Sequence, residues 1–275
     1  MNLQKKLLLQ TLSLFFLLSS SSTFTMLHRR YKKQIEQAEA LKKIKEITSI
    51  AEIDARIESI KQTPYEECLK ELSQITGIPY DILKIKIDIE RILVEEVLKE
   101  ENPAAHHDPT MPPVLYENLR ETFLDLGLNP KSTTFTYEKN SKTVQQNAAS
   151  HGIIFYGTHA LNTPEILQYE KLLRKPEAAQ LFIDGHELHH ILLQHNAMRF
   201  LALSHKPAAD LKQLTSIYER EADINTASRN SKLACVGAAH RCKRPHAQIL
   251  DGKKHCAEMV IVCALMQQKE MLLLK

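Results

Sequence analysis

Glycine is scarce, with seven residues in a chain of 275. That scarcity, beside long Lys/Glu/Leu/Ile stretches, favours a mainly helical protein. No Gly-rich phosphate loop, internal repeat or heptad run is present. Charge of one sign is missing too: 36 Lys+Arg against 33 Asp+Glu leave a net charge of +3. It falls to about +1 once Lys5 and Lys6 are set aside. The basic residues are interleaved with acids, which excludes an extended nucleic-acid footprint. The apolar run from Leu7 to Leu18 is short of the roughly 20 residues that span a bilayer. The close C-x-x-C spacing of a cysteine-rich metal site is also absent.

What is present begins with that same N-terminal run. Lys5 and Lys6 precede it, and the small residues Ser19 to Ser22 follow it. A positive, then apolar, then small segment is the order of a signal peptide. Residues 1–25 are therefore expected to be a signal peptide or a membrane anchor. An uncleaved anchor would run on to Leu27 and be flanked by His28-Arg29-Arg30-Tyr31-Lys32-Lys33. Either form predicts export to a periplasmic or extracellular location, the second with attachment to the membrane.

Residues 26–105 read as a helical N-terminal region. Ile53, Ile57 and Ile60 recur at helical spacing, with breaks expected near Thr63-Pro64 and Gly77-Ile78-Pro79. Leu83 to Ile89 alternates strictly, as a strand would, whereas Arg91 to Glu101 favours helix; the pattern leaves both open there. Asn102 to Pro113 is a polar, Pro-rich linker. Its His106-His107-Asp108 reads as an incidental loop cluster rather than a ligand set. Residues 106–275 are expected to be the functional domain. Leu119, Phe123 and Leu126 share a helix face ended by Gly127 and Asn129-Pro130. Thr133 to Tyr137 and Gly152 to Tyr156 read as strands. Pro176-Glu177 opens a further helix. The expected class is mainly α with a small β-sheet (α+β).

That last helix carries His186-Glu187-Leu188-His189-His190, an H-E-x-x-H pattern inside an apolar run. Histidines four apart project from one helix face, so His186 and His190 can reach one metal ion. Glu187 can then act as general base on a water that the metal activates. His189 points about 100° from His190 and reads as core or cleft lining. The third ligand decides the class. A metzincin would place Gly at 193 and His at 196, where this chain has Leu193 and Asn196. His195, nine residues from His186, would point to the opposite face of a continuing helix. A carboxylate on a second helix remains, and Tyr218-Glu219-Arg220-Glu221-Ala222-Asp223 supplies it. Glu219 and Asp223 share a face. Glu219 can coordinate while Asp223 orients a ligating histidine. The small Ala222 permits close helix approach. Glu221 lies off that face and reads as solvated or accessory.

H-E-x-x-H followed by E-x-x-A-D resembles the gluzincin metallopeptidases of the HtpX and CAAX-prenyl-protease type. The resemblance covers roughly residues 130 to 230, with Asn147-Ala148 and Gly152 to Phe155 similar to the segment edging that family's cleft. It implies a zincin-like domain with an active-site helix and a second ligand helix. It implies one Zn2+ on His186, His190 and Glu219, with Glu187 catalytic and Asp223 supporting. The implied activity is a zinc-dependent endopeptidase acting on extended or unfolded polypeptide, Tyr218, His151, His240 and Arg229 being candidates to stabilise the oxyanion. The alternative is a non-catalytic binding module on the same scaffold, with a structural or vestigial zinc.

Cysteine spacing carries a separate expectation. Cys235, Cys242, Cys256 and Cys263 form two C-x6-C pairs, and residues seven apart share a helix face. Pairing Cys235 with Cys263 and Cys242 with Cys256 satisfies one antiparallel helical hairpin turning near Arg244-Pro245-His246. Gly237, Ala238 and Ala239 permit the close approach that disulfides require. Two nested disulfides in an oxidising compartment are expected, with Cys68 unpaired.

Overall fold

The computed structural model describes residues 39–139, 147–243 and 250–274. The expected signal or anchor, residues 1–25, and the expected turn at Arg244-Pro245-His246 lie outside them. The chain forms two compact units, Met1–Ile47 and Thr48–Lys275. In the first, residues 39–45 are helical. The second holds all that follows, and residues on both sides of position 105 belong to it. No described helix is long and apolar enough to cross a membrane.

The second unit opens with α1 (Ile50–Thr76). Ser49 caps it by accepting from the Glu52 amide, and Gly77 ends it at φ 74°, a left-handed conformation that glycine adopts without a Cβ clash. The break expected at Thr63-Pro64 does not occur. Proline inside a helix costs about 3 kcal/mol. Burial of Ile53 and Ile57 before it, and of Tyr65, Cys68, Leu69 and Leu72 after it, outweighs that cost. α2 (Tyr80–Lys99) resolves the ambiguous alternating stretch as helix. Leu83, Ile87, Val94 and Leu98 are buried at the 3.6-residue period, which leaves Ile82, Ile85, Ile89 and Ile92 facing solvent.

α3 (Pro113–Leu124) buries Leu115, Leu119 and Phe123. A three-stranded sheet follows, built from β1 (Thr134–Glu138), β2 (Ala148–His151) and β5 (Glu165–Tyr169). β5 lies in the middle, parallel to β1 and antiparallel to β2. Between β2 and β5 sits a small hairpin of β3 (Phe155–Tyr156) and β4 (His159–Ala160). The strand expected over Gly152 to Tyr156 is thus divided, with β2 ending before it and β3 taking only its last two residues. Five helices complete the unit: α4 (Glu177–Leu192), α5 (His195–His205), α6 (Lys212–Ala227), α7 (Ser231–Lys243) and α8 (Gly252–Leu273). The described part of the chain is mainly helical with a small sheet.

Two apolar clusters flank the central helices. One joins Leu115, Leu119 and Phe123 to Phe135, Ile153, Ile166, Leu188 and Ile191. The other joins Tyr65, Leu69 and Leu72 to Leu83, Ile87, Leu214 and Ile217. α4 contributes to the first and α6 to the second, so the two helices meet where the clusters adjoin.

α7 and α8 form the antiparallel hairpin. Cys242 is bonded to Cys256 across a Cα–Cα distance of 5.1 Å. Cys235 and Cys263 face each other with their sulfurs 2.7 Å apart but are free thiols, as is the buried Cys68. The nested register therefore holds for both pairs, with one bond formed rather than two.

Glycines set the spacing of these helices. A Cβ on Gly237 would lie 2.4 Å from Phe182 Cε2 and 2.6 Å from Met259 Cε. At Gly185 it would lie 2.8 Å from Thr226 Cγ2, so this glycine lets α4 lie close against α6. Ala at 237 gains about 1 kcal/mol of helix propensity. Displacing the packed Phe182 ring costs about 1–3 kcal/mol, which is the larger effect. Gly237→Ala is expected to lower stability by about 1 kcal/mol, the middle of that cost less the propensity gain. Urea unfolding checks this, and an unchanged or raised midpoint contradicts the packing account.

Candidate metal centre

α4 begins behind Pro176, with Glu177 in its first turn. Its middle is pinned to the sheet by Gln168 of β5, which donates to the buried Asp184 carboxyl. Burial holds that carboxyl well above the ordinary range, so it serves as a neutral partner. His186 and His190 then emerge one turn apart toward α6. Their Nε2 atoms are 3.0 Å apart. Glu219 of α6 closes the triangle, with Oε2 3.3 Å from His186 Nε2 and Oε1 3.7 Å from His190 Nε2. Among the described residues, these three are the one group of His, Cys, Asp or Glu placed to hold a metal ion.

The spacing tests that reading. Bonds of about 2.0–2.1 Å in a tetrahedral zinc site put neighbouring donor atoms roughly 3.3 Å apart. The two histidines approach this value at 3.0 Å and His186 meets it against Glu219 Oε2 at 3.3 Å, while His190 lies 3.7 Å from the other Glu219 oxygen, Oε1. The electrostatics agree. Burial and the neighbouring His186 hold His190 well below its ordinary range, in the neutral form a metal requires. Burial also disfavours a charged His186, but Asp223 and Glu219 outweigh it and lift its pKa to about 10. The carboxylates thus draw a cation into the site, and in a metal-free chain the proton on His186 is that cation.

Each ligand is steadied from behind. Asp223 Oδ1 lies 2.8 Å from His186 Nδ1. Its two oxygens also take Nε and Nη2 of Arg241 on α7, at 2.5 and 2.6 Å, and Nε2 of His255 on α8, at 2.8 Å. Burial works against the Asp223 charge, yet Arg241, His186 and His255 hold its carboxyl well below the usual range. On the other side, His190 Nδ1 is 2.8 Å from His195 Nδ1. His195 Nε2 is 3.0 Å from Glu221 Oε2, and Glu221 accepts from Arg91 at 2.9 Å. Tyr218 stacks on His195, with ring centroids 4.5 Å apart.

Two sequence expectations are corrected here. Glu221 is not solvated, being 1% exposed between Arg91 and His195. His195 is no ligand, yet it does not point away. α4 ends at Leu192, and Gln194 takes φ 62°, so α5 starts on a new axis and returns His195 to the site. The opposite-face argument assumed an unbroken helix.

Glu187 faces the sheet. Ser150 of β2, the sheet's edge strand, donates to Glu187 Oε2 at 2.9 Å, and Asn196 donates to the Ser150 carbonyl at 3.0 Å. Burial pushes the Glu187 carboxyl above its usual range against the opposing pull of His186. His189 is core: its Nδ1 is 2.7 Å from the Gly185 carbonyl, and burial lowers its pKa to about 3.

Of the four residues considered for the oxyanion, Tyr218 is committed behind His195, and Arg229 binds the Thr122 carbonyl and Asp125. His151 is exposed beside Glu165, and His240 lies half-buried on α7. His107 packs against Tyr116 and Phe135. Sequence reasoning missed Ser150, Arg91, Arg241 and His255. The last two had a signal, since each adjoins a cysteine of the nested register.

The chain matches no protein-family model, no curated protein and no solved structure.

Removing Glu221 takes the carboxylate from the half-buried Arg91 and frees His195. Glu221→Ala is expected to cost about 3–5 kcal/mol, as breaking a buried ion pair does. Truncating the exposed Glu58, paired only with Lys61, should change stability by about 0.5 kcal/mol or less. Paired urea titrations compare the two. Equal, small effects would remove the Arg91–Glu221–His195 chain as a structural element.

Proposed function

We propose that this chain is a zinc-dependent endopeptidase of the gluzincin kind. The observation that carries the reading is the cluster of His186, His190 and Glu219, with one donor atom of each within 4.8 Å of the others, and Glu187 next to His186 on α4. The three donors would hold one Zn2+, with Asp223 fixing the orientation of His186 and His195 that of His190. Zinc in such a set supplies Lewis acidity, bringing the pKa of a water toward about 7 and polarising a carbonyl.

The remaining steps belong to the chain's own groups. Ser150 fixes Glu187 Oε2, leaving Oε1 to take the proton from the attacking water. Glu187 then delivers that proton to the departing amine. Burial, which raises the basicity of this carboxylate, suits it to take up that proton. The edge strand β2 borders Glu187, which supports an extended, locally unfolded polypeptide as substrate through strand addition. The order of charged, apolar and small residues at 1–25 supports export, with cleavage or anchoring. The Cys242–Cys256 bond accords with an oxidising compartment.

The rival reading is a non-catalytic scaffold with a structural or vestigial zinc. A structural zinc is normally closed by four protein ligands, whereas the group among the described residues comprises three. That difference favours the enzyme.

Wild-type protein should carry one zinc per chain and turn over casein, and a chelator should abolish both. Glu187→Gln should keep the zinc and lose about 10²–10⁴-fold in rate. Glu219→Ala should lose stoichiometric zinc. Elemental analysis alongside casein hydrolysis reads all of this. Undiminished cleavage by Glu187→Gln removes that residue from the chemistry. Stoichiometric zinc without turnover in wild type selects the binding module.

A further inference from the structure

Arg241 and His255 come from different helices yet close on the same carboxylate. Arg241 clamps both oxygens of Asp223, and His255 adds Nε2 to Oδ2. All three side chains are almost fully buried. Asp223 in turn faces Nδ1 of the ligand His186. The next residue after each clamping side chain is a cysteine, and Cys242 and Cys256 are bonded to each other. This rung lies where α7 finishes and α8 starts, the parts of helices most prone to fray. Apart from this bond, the covalent link between those two ends is the connecting segment, residues 244–251. The second cysteine pair, Cys235 and Cys263, lies two turns further along α7 and adjoins neither clamping residue.

We propose that the Cys242–Cys256 disulfide is a positioning device for the metal ligand His186. Acting through Arg241, His255 and Asp223, it makes the metal affinity of the site depend on the oxidation state of the hairpin. The proposal rests on the metal reading of the triad. A bidentate Arg–carboxylate pair fixes the rotation of the carboxylate as well as its place. Asp223 Oδ1 therefore keeps its place 2.8 Å from His186 Nδ1 only while α7 and α8 keep their separation. Cys242 is exposed, so a reductant can reach the bond although the clamp behind it is dry. Reduction by a phosphine passes two electrons to the cystine. Water supplies the oxygen of the phosphine oxide and the two protons of the new Cys242 and Cys256 thiols. A chain made in a reducing compartment would thus hold zinc weakly and gain full affinity once its hairpin is oxidised.

Supporting contacts behind a metal ligand are worth about 10- to 100-fold in affinity. The test is zinc affinity of the full chain, by competition with a chromogenic chelator. The Cys242→Ser/Cys256→Ser variant and phosphine-reduced wild type, with reductant removed, should each bind zinc about 10- to 100-fold more weakly than oxidised wild type. Cys235→Ser/Cys263→Ser, altering the same hairpin at its other rung, should bind as wild type does. With the disulfide intact, His255→Ala should weaken zinc binding, and His255→Gln, which restores a donor to Asp223, should recover most of it. A purely structural role for the hairpin would not show this rescue. If the double serine variant fails to fold, reduced wild type and the His255 pair decide the question. Equal affinity in oxidised and reduced wild type overturns the brace while leaving the metal site standing. A wild-type chain that takes up no zinc overturns the metal reading itself, and the brace with it.

Discussion

A buried charge must find its counter-charge, and α6 is built on that requirement. Glu219, Arg220, Glu221 and Asp223 are all buried within little more than one turn. Unpaired, each would cost several kcal/mol. Each is answered from elements other than α6. Arg220 meets Glu67 of α1 and Glu258 of α8, and Glu221 meets Arg91 of α2 and His195 of α5. Asp223 meets Arg241 of α7 and His255 of α8, and Glu219 meets the two histidines of α4. The helix is polar and central at once because the rest of the unit is arranged around its charges.

The metal centre follows from that arrangement. Glu219 is the member of the set whose partners are neutral-capable imidazoles rather than a fixed guanidinium. A carboxylate facing imidazoles, which carry charge only when protonated, favours a divalent ion. The neighbouring pairs leave Glu219 little freedom, because Glu221 and Asp223 lock α6 in rotation on both sides of it. Precision at the triad is thus inherited in part from ion pairs that lie outside it.

Close packing sets the distance at which these charges meet. Gly185 allows α4 to approach Thr226 of α6, and Gly237 lets α7 rest on the Phe182 ring. In a protein with so few glycines, two stand where helices carrying the site and its supports come together. The left-handed Gln194 performs the other necessary act, ending α4 so that His195 can turn back onto His190.

The elements that periodicity could read were those whose pattern reflects one face in oil and one in water. The helix of Leu119 and Phe123, the strand β1 and the histidine-bearing helix fall in this group. Histidines four apart and acids four apart needed only helical geometry to be paired, and the nested cysteine register needed only two helices lying antiparallel. Pro64 misled because its local preference was overridden by burial on both sides of it, and the alternating Leu83 to Ile89, open between strand and helix, was settled as helix by its one buried face. Ser150, Arg91, Arg241 and His255 had to await the folded chain, since each reaches the site from an element distant in sequence. Spacing along one helix states which side chains share a face. Which faces meet is settled by packing and by the pairing of buried charge, neither of which is a local property of the chain.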